Sequence, residues 1–496
     1  MKNTKKAITI ILSLMLLLSF SMAAFAVTEE YKAYKIFSGN QSDGYVDLYN
    51  VNWGDGINAG DFLTALMNDT TFGDTFDECE TAADVAKILA DWEDGSDEAK
   101  LFAKIAYANI AGEGTAVENG ETSLDAGYYL VVDTTATEGQ DAVKNLALLQ
   151  QTKKGTFEIA VKVDKPTVQK KVKDINDTQG TTYTDWQDSA DYDIGDTIPF
   201  QLKADLKTIA PYDKYELVFV DTGCAGLTVD AASFKLYIDE NEVTAANAFT
   251  ADVEGNDFTV TIPDVKALGA ADNSVVTVEY EAVLTENAEI GLPGNPNEVY
   301  LKYSNNANFT GPYIGEDENE TPESELGATA PDKVIVFTYQ VEANKINEDD
   351  QHLTGAGFTL YKKNAAGEYE AIGEEIKGDE LTTFTWVGID DGDYKLAETT
   401  VPNGYARMED LEFTVSAAHE AEADDPQLIA LAGGDAFTGS VDTGALVGDI
   451  KNIPQGTILP ETGGIGTKIF YIAGSIMLAG AAILLITKKR MNAEKA

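Results

Sequence analysis

Most of this chain consists of short alternating stretches of the kind that form β-strands. From about residue 166 onward, apolar and polar residues alternate in runs that are broken by Gly, Asn and Asp. Runs of this length with regular turn signals are typical of antiparallel β-sandwich domains. An acidic stretch, 315–325, separates two such blocks. The pattern predicts one sandwich over 166–325 and a second over 333–454.

Residues 27–165 have a different texture from the rest of the chain. Three strand-like runs are interleaved with two windows whose apolar residues recur at helical spacing. The strand-like runs are 31–37, 128–133 and 157–163, and the helical windows are 59–67 and 82–92. This mixture predicts an α+β N-terminal domain. The fold class expected for the whole chain is mainly β, with tandem immunoglobulin-like sandwiches after the α+β domain.

The first 26 residues have the organisation of a secretory signal peptide. Lysines near the start are followed by an apolar run, 7–20, and by a small-residue cleavage site that ends at Ala26. A retained membrane anchor is the alternative, but the run is shorter than the roughly 20 residues that a spanning helix needs. Residues 1–26 are therefore predicted to be removed on secretion.

The other end joins a short motif to a predicted membrane anchor. An apolar run, 469–487, is long enough to cross a bilayer, and the basic residues in 488–496 favour a cytoplasmic tail. The motif before this run consists of Leu459, Pro460, Glu461, Thr462 and Gly463. This order resembles the sorting signal of Gram-positive cell-wall proteins. The resemblance implies that a sortase cleaves after Thr462 and transfers it to an amine through an acyl-enzyme.

Composition excludes several classes of function. The formal net charge of −49, from 84 acidic and 35 basic residues, repels nucleic acid and anionic lipid. Cys79 and Cys224 are too few for a disulfide framework, and the histidines are His352 and His419. No spacing typical of metal ligands or of a hydrolase triad is present. We expect no cofactor, no bound metal and two surface histidines, although acidic turns at 349–350 and 390–393 leave calcium as an alternative.

Three polar side chains of the last block occupy positions that strand alternation assigns to the core. Lys345, Glu398 and Asn452 each share a strand face with apolar residues two positions away. An unpaired cation on such a face is costly because the interior solvates charge poorly. The three groups are therefore expected to meet inside the sandwich.

The segments around these residues resemble a collagen-adhesin B-type (CnaB) domain. The resemblance rests on Lys-Ile-Asn-Glu-Asp from 345, Leu-Thr-Gly-Ala-Gly-Phe from 353, Tyr-Lys-Leu-Ala-Glu-Thr-Thr-Val-Pro-Asn-Gly-Tyr from 394 and Asn-Ile-Pro from 452. In that family a lysine of the first strand forms an isopeptide bond with an asparagine of the last. The resemblance implies a bond between Lys345 and Asn452, with Glu398 as the catalytic acid.

Burial supplies the conditions that such a bond needs. Desolvation lowers the pKa of an amine and raises that of a carboxyl group, so that a neutral amine can face a neutral acid. The amine then attacks the asparagine side-chain carbonyl while the acid stabilises the developing charge and carries protons as ammonia leaves. The alternative is a lysine that reaches water and pairs with Glu398. The resemblance implies a single-turnover self-reaction, and we expect no enzyme in the usual sense.

The middle block repeats this arrangement. Alternation places Lys170, rather than its neighbour, on an apolar strand face, and it does the same for Asp221 and Asn297. The block resembles the second domain of Gram-positive backbone pilins through Gly-Asp-Thr-Ile-Pro-Phe from 195 and Tyr-Ser-Asn-Asn from 303. The resemblance implies a Lys170–Asn297 bond with Asp221 as the acid. The alternatives that remain open are Lys171, Asn295 and Asn305.

Polymerisation of such pilins needs a further, outward-facing amine. In the family it lies in a Trp-x-x-x-Val-x-Val-Tyr-Pro-Lys type motif at the end of the first domain. The matching stretch here, Ile-Ala-Val-Lys-Val-Asp-Lys-Pro from 159, keeps the two valines but has neither the tryptophan nor Tyr-Pro-Lys. The resemblance implies Lys165, with Lys162 in reserve, and an ordinary linker lysine is the alternative.

The N-terminal domain also resembles the first domain of these pilins, through Tyr-Lys-Ala-Tyr-Lys-Ile-Phe from 31. Its strand Gly-Tyr-Tyr-Leu-Val-Val-Asp from 127 resembles the Tyr-Lys-Leu-Ala-Glu strand of the last block but lacks the glutamate. No crosslink is therefore expected there.

Two functions fit these features. The first is a structural shaft subunit of a pilus, whose partners are a pilus-type (class C) sortase, further copies of the chain and peptidoglycan. The second is a monomeric wall-anchored adhesin or minor pilin that binds a host ligand. Both place the chain outside the cell, attached covalently to the cell wall or pilus, with minor pilins and the host surface as further partners. A secreted hydrolase is excluded because a catalytic constellation is missing.

Overall fold

The computed structural model describes residues 31–41, 48–92, 96–117, 124–134, 143–144, 146–151, 165–314 and 320–455. The chain divides into two units, which are Met1–Thr135 with Leu146–Ile159, and Ala136–Asn145 with Ala160–Ala496. The expected fold class is confirmed, since the described chain is mainly β and forms an α+β part and two sandwiches. The predicted signal peptide, sorting motif, membrane span and tail lie outside the described residues. Within the described ranges, no helix is long and apolar enough to cross a membrane.

The first unit packs helices against one antiparallel sheet. Its strands have the order β2-β1-β4-β5, and β3 pairs with β1. Apolar side chains at helical spacing, such as Phe62 and Leu66, are fully buried in its core with Phe102. The elements are β1 (Tyr31–Gln41), β2 (Leu48–Trp53), α1 (Ala59–Asn68), a 3-10 turn (Gly73–Phe76), α2 (Ala82–Leu89), α3 (Asp97–Ala108), β3 (Thr115–Val117), β4 (Gly127–Asp133) and β5 (Leu146–Gln151).

The second unit begins with a sandwich of two sheets, called here the middle sandwich. One sheet has the order β12-β11-β15-β8-β6 with β10 on β15, and the other has the order β13-β14-β9-β16-β18-β7 with β17 on β16. The strands are β6 (Thr167–Val172), β7 (Ser189–Asp191), β8 (Thr197–Asp205), β9 (Leu217–Gly223), β10 (Leu227–Val229), β11 (Lys235–Ile238), β12 (Asn241–Glu242), β13 (Thr250–Glu254), β14 (Asp257–Ile262), β15 (Val275–Leu284), β16 (Asn295–Ser304), β17 (Leu326–Ala328) and β18 (Asp332–Phe337), with a 3-10 turn at Glu323–Glu325. The first strand, β6, and the late strand β16 thus lie in opposite sheets.

The unit continues with the C-terminal sandwich. Its sheets have the orders β22-β19-β27-β26 and β21-β20-β23-β24-β25. The strands are β19 (Tyr339–Ile346), β20 (Gly357–Lys363), β21 (Tyr369–Lys377), β22 (Thr383–Ile389), β23 (Gly392–Thr400), β24 (Leu411–His419), β25 (Leu428–Ala432), β26 (Thr438–Ser440) and β27 (Ala445–Lys451). The first and last strands, β19 and β27, are parallel neighbours in one sheet.

The middle sandwich extends further along the chain than the sequence predicts. Strands β17 and β18 both pair with β16, so its sheet ends at Phe337 and not near residue 325. Both faces of β18 are covered, because Val334 and Val336 enter the middle core while Ile335 and Phe337 enter the C-terminal core. A strand buried on both faces has no polar side, which is why alternation did not assign it to the earlier block.

Candidate functional site

The C-terminal sandwich brings Lys345, Glu398 and Asn452 together in its interior. Lys345 lies on the inner face of β19 and is opposite Ile450 of the parallel strand β27. Asn452 follows just after that strand, and Glu398 projects from β23 of the facing sheet. Lys345 and Glu398 are fully buried, and Asn452 is 1% exposed.

The three side chains form one hydrogen-bonded cluster. The Lys345 Nζ atom lies 2.5 Å from Asn452 Oδ1 and 3.6 Å from Glu398 Oε1. Asn452 Nδ2 donates to the same Glu398 oxygen at 2.8 Å. The second oxygen, Oε2, accepts a hydrogen bond from the backbone N–H of Met408 at 2.9 Å, which fixes the carboxyl group in place. One carboxyl oxygen therefore faces both the amine and the amide.

The surroundings of Lys345 favour a neutral amine. Burial lowers the pKa of Lys345 to about 8, although the nearby Glu398 carboxyl group opposes this shift. The ring of Phe358 lies 5.5 Å from Nζ and helps to exclude water. A substantial fraction of this amine is therefore neutral at mildly alkaline pH, next to an amide carbonyl that it can attack.

The middle sandwich contains a second cluster of the same composition. Lys170 of β6 is fully buried, and Asp221 of β9 and Asn297 of β16 are each 1% exposed. The Lys170 ammonium pairs with Asp221 Oδ2. Since β6 lies in one sheet while β9 and β16 lie in the other, the cluster spans the two sheets.

Tyr280 is a member of this cluster that the sequence analysis missed. Its hydroxyl group accepts hydrogen bonds from Lys170 Nζ at 2.9 Å and from Asn297 Nδ2 at 2.8 Å. Tyr280 is 2% exposed and stands on the inner face of β15 among aliphatic residues. A tyrosine at a core position of an otherwise aliphatic strand needs a polar partner, and that signal could have identified it.

The electrostatics of the second cluster follow from its complete burial. Burial lowers the pKa of Lys170, and burial raises the pKa of Asp221 to about 6. Among the described residues, Asp221 Oδ1 and Asn297 Oδ1 are buried without a hydrogen bond. Buried polar atoms without partners are costly, so these two oxygens lower the stability of the middle sandwich.

The three alternatives for this cluster make other contacts. Lys171 points away from the core, and its Nζ atom lies 2.5 Å from Asp188 Oδ1. The Asn295 side chain donates to the backbone oxygens of Glu289 and Val336 at 3.0 and 3.1 Å. Asn305 lies beyond the end of β16; its backbone N–H donates to the Glu325 carbonyl, and its buried side-chain amide forms no hydrogen bond with a described group, Lys170 included. The geometry thus favours Lys170 and Asn297.

The remaining predicted residues lie at the edge of the described chain or outside it. Lys165 is half-buried and directly precedes Pro166 at the start of the second unit, whereas Lys162 and the five residues of the sorting motif are not described. The acidic turns are paired with lysines, because Asp350 lies 2.6 Å from Lys451 and Asp393 lies 3.3 Å from Lys363.

The prediction of two surface histidines is wrong for His419, whose side chain is only 10% exposed. It ends β24 and lies against residues of the middle sandwich, a long-range contact that local sequence patterns do not encode.

Two protein families match parts of the chain. Residues 339–427 match the SpaA family, described as a prealbumin-like fold domain, and residues 458–493 match the LPXTG cell wall anchor motif. The chain is therefore a β-sandwich surface protein with a cell-wall anchor. Its resemblance to Gram-positive major pilins is confirmed by the relatives that follow.

One curated relative is the trypsin-resistant surface T6 protein of Streptococcus pyogenes serotype M6. It is 27% identical over 266 residues, which cover 43% of this chain and 48% of that protein. The chain thus spans about half the length of the curated relative that it matches. A solved structure of the T6 backbone pilin of the same serotype, described as modular and three-domain, superposes with a TM-score of 0.54 at 18% identity. That superposition covers 87% of this chain and 97% of the other, and it shows a common fold.

Proposed function

We propose that this chain is a structural shaft subunit of a sortase-assembled pilus, in which each sandwich crosslinks itself. The observation that carries the proposal is the pair of buried lysine–acid–asparagine clusters, one in each sandwich, combined with an LPXTG anchor motif. A shaft subunit bears tension along its length. A covalent bond would join the first and last strands of the C-terminal sandwich and would join the two sheets of the middle sandwich, so that hydrogen bonds alone do not carry the load. No disulfide performs this task, since both cysteines are free.

The proposed reaction is the same in both clusters. The neutral lysine amine attacks the side-chain Cγ atom of asparagine and forms a tetrahedral intermediate, whose oxygen is stabilised by the protonated acid. The acid donates its proton to the leaving asparagine nitrogen and recovers one from the attacking lysine nitrogen. The C–N bond of the asparagine amide breaks, and one ammonia leaves for each isopeptide bond. Glu398 acts in the C-terminal sandwich and Asp221 in the middle sandwich, where Tyr280 positions the amine and the amide.

Assembly of subunits requires a different amine. A pilus-type sortase would form an acyl-enzyme at Thr462, and Lys165 of another copy would resolve it, with Lys162 as the alternative nucleophile. The last subunit would instead be transferred to peptidoglycan.

Pilus assembly is tested in the native host. We expect the surface fraction of cells with the unchanged protein to give a ladder of covalent multimers that survives boiling in detergent. The Lys165→Ala/Lys162→Ala double variant should remain a monomer on the wall, because it lacks the acceptor amine. Lys207→Ala, at an exposed position of the middle sandwich, is the matched control and should leave the ladder intact. A ladder from the double variant would exclude both lysines, whereas a monomer from unchanged cells would favour a wall-anchored adhesin.

Crosslinking of the C-terminal sandwich should depend on pH. The folded-state pKa of Lys345 is lowered to about 8, so the neutral fraction of its amine rises from about 1% at pH 6 to about half at pH 8. When protein that was unfolded in urea before crosslinking is refolded by dilution, it should release the ammonia of the Lys345–Asn452 bond slowly at pH 6 and tens of times faster at pH 8. Intact mass at timed intervals after dilution measures the rate. A rate that does not change between pH 6 and pH 8 would exclude the neutral amine as the attacking species.

A further inference from the structure

A buried polar cluster where the two sandwiches of the second unit meet has no part in the crosslinks. It contains Asp174, which follows β6, and Asp191 at the end of β7, both from the middle sandwich. His419 enters from β24 of the C-terminal sandwich. The exposed fractions of these side chains are 16%, 4% and 10%. One nitrogen ligand and two carboxylates from separate sandwiches thus converge at one point.

The far nitrogen of the His419 ring, Nδ1, has a hydrogen-bond partner of its own. The Ser189 hydroxyl donates to the backbone oxygen of Glu420 at 2.8 Å, and it lies 2.7 Å from His419 Nδ1. When the hydroxyl hydrogen is directed at the Glu420 carbonyl, the serine oxygen accepts from His419 Nδ1–H. In the neutral ring this leaves a lone pair on Nε2, directed at the two carboxylates. A partner that fixes the far nitrogen in this way is typical of histidines that bind metals.

The distances around Nε2 fit a metal better than hydrogen bonds. Nε2 lies 3.4 Å from Asp174 Oδ2 and 3.4 Å from Asp191 Oδ1, which is beyond the usual range for N–H···O contacts. The three ligand atoms all lie within 4.8 Å of one another. Ligands about 2.0–2.1 Å from a tetrahedral Zn²⁺ ion lie about 3.4 Å apart, and zinc accepts this combination of imidazole and carboxylate.

The other oxygens of the two carboxylates are already engaged. Asp174 Oδ1 accepts the backbone N–H of Ile175 at 2.9 Å, and Asp191 Oδ2 accepts that of Asp391 at 3.1 Å. These bonds hold Asp174 Oδ2 and Asp191 Oδ1 towards the histidine. The site therefore has oriented ligand atoms and does not depend on acidic composition alone.

The Tyr339 hydroxyl gives an independent sign of a missing ligand. Tyr339 is fully buried, and its hydroxyl group faces Asp191 close to Asp174 and Asp391. Nevertheless, no described group forms a hydrogen bond of normal geometry with it. Nearly all buried hydroxyl groups have a partner, so this one either pairs with the adjacent Asp191 carboxyl group or has its partner in a group bound at the cluster. A water molecule in the fourth metal position would provide that partner.

A neighbouring acidic cluster shows what a filled site looks like in the same interface. Asp177, Asp193 and Asp390 surround the Lys362 ammonium, at distances of 2.8, 2.7 and 2.5 Å from its Nζ atom. That lysine serves as the cation of its cluster. Among the described residues, no lysine or arginine forms an ion pair with Asp174 or Asp191, so His419 is the one basic group opposite them, and it supplies a positive charge when its ring is protonated.

We propose that His419, Asp174 and Asp191 bind one Zn²⁺ ion that joins the middle and C-terminal sandwiches. The ion would neutralise the converging carboxylates and fix the relative position of two domains that lie in series along the chain. A proton on Nε2 is the competing occupant, and direct measurement of zinc binding separates the two.

The test uses tag-free chain without the predicted signal peptide and sorting tail, stripped with a chelator. In calorimetric titration with ZnCl₂ we expect one zinc per chain, and substitution of cobalt(II) should give the visible spectrum of a tetrahedral site. His419→Gln should weaken binding by at least about tenfold, and Ser189→Ala by about tenfold or more through loss of the Nδ1 partner. His352→Gln, at the other histidine, should bind zinc as the unchanged protein does.

Zinc should also raise the midpoint of thermal unfolding of the unchanged chain but not that of His419→Gln. Circular dichroism establishes that each variant is folded, and if His419→Gln is not, Ser189→Ala carries the comparison. The proposal would be overturned if the stripped chain did not bind zinc. It would also be overturned if the folded His419→Gln and Ser189→Ala variants bound zinc as tightly as the unchanged protein. Binding of calcium without zinc would overturn it as well.

Discussion

Replacing Glu398 with glutamine is expected to leave Lys345 and Asn452 unlinked, so that the chain retains one ammonia more than the unchanged protein. Glutamine keeps the size of the side chain, but its single oxygen can accept from only one of Asn452 Nδ2 and Met408 N–H, and it cannot donate or accept a catalytic proton. The unchanged chain should be lighter than its sequence by two ammonia masses, and the variant by one. Intact mass spectrometry measures both values.

The same variant should lose much of the stability of its C-terminal sandwich. The proposed bond joins residues that are 107 positions apart in sequence. On the chain-entropy account, closing a loop of about 100 residues contributes about 4–5 kcal/mol. Unfolding in guanidinium, followed by the fluorescence of Trp386 in this core, should therefore shift to markedly lower denaturant concentration.

Glu412→Gln is the matched control, because Glu412 is an exposed acid on the adjacent strand β24. It should leave the mass deficit and the stability unchanged. A Glu398→Gln chain that still lacks two ammonia masses would show that this carboxyl group does not promote the bond. A deficit of one ammonia in the unchanged protein would limit crosslinking to one sandwich.

Strand alternation made the inner positions of the candidate sites predictable. The two-residue period of a strand determines which side chains face inward, and it assigned Lys345, Lys170 and Asn297 to the core without information on which strands pair. The structure places all three in the interior. Their proximity to an acid was implied by family resemblance, because alternation alone cannot indicate which inward residues meet.

The features that sequence reasoning missed depend on contacts between distant segments. Tyr280 joins the middle cluster only because β8 pairs with both β15 and β6, which brings its hydroxyl group within 2.9 Å of Lys170 Nζ, and nothing near Tyr280 in sequence indicates this. His419 looked like a surface residue because the end of its strand, β24, is half-exposed. The middle sandwich covers its side chain, and the local sequence does not indicate that contact. Strand β18 was assigned to the wrong side of a domain boundary for the same reason, since its two faces belong to different cores.

Replacing Asp221 with alanine should have the larger effect of the two acid substitutions. The variant cannot form the Lys170–Asn297 bond, so it should retain one ammonia and lose about 4–5 kcal/mol of loop-closure stabilisation. It also leaves Lys170 fully buried without its acidic partner, and removing one member of a buried pair typically costs about 3–5 kcal/mol. We expect a middle sandwich that unfolds well below the temperature of the unchanged protein.

A second variant separates these two contributions. In Lys170→Met/Asp221→Ala the bond is equally absent, but no amine is left in the core, so part of the stability lost in Asp221→Ala should return. Asp252→Ala, at an exposed position of β13, is the control and should change neither mass nor stability. Thermal unfolding and intact mass of the four proteins measure both effects. If Asp221→Ala and the double variant are equally unstable, the buried amine makes no separate contribution, and the carboxyl group matters to the middle sandwich only through the bond that it promotes.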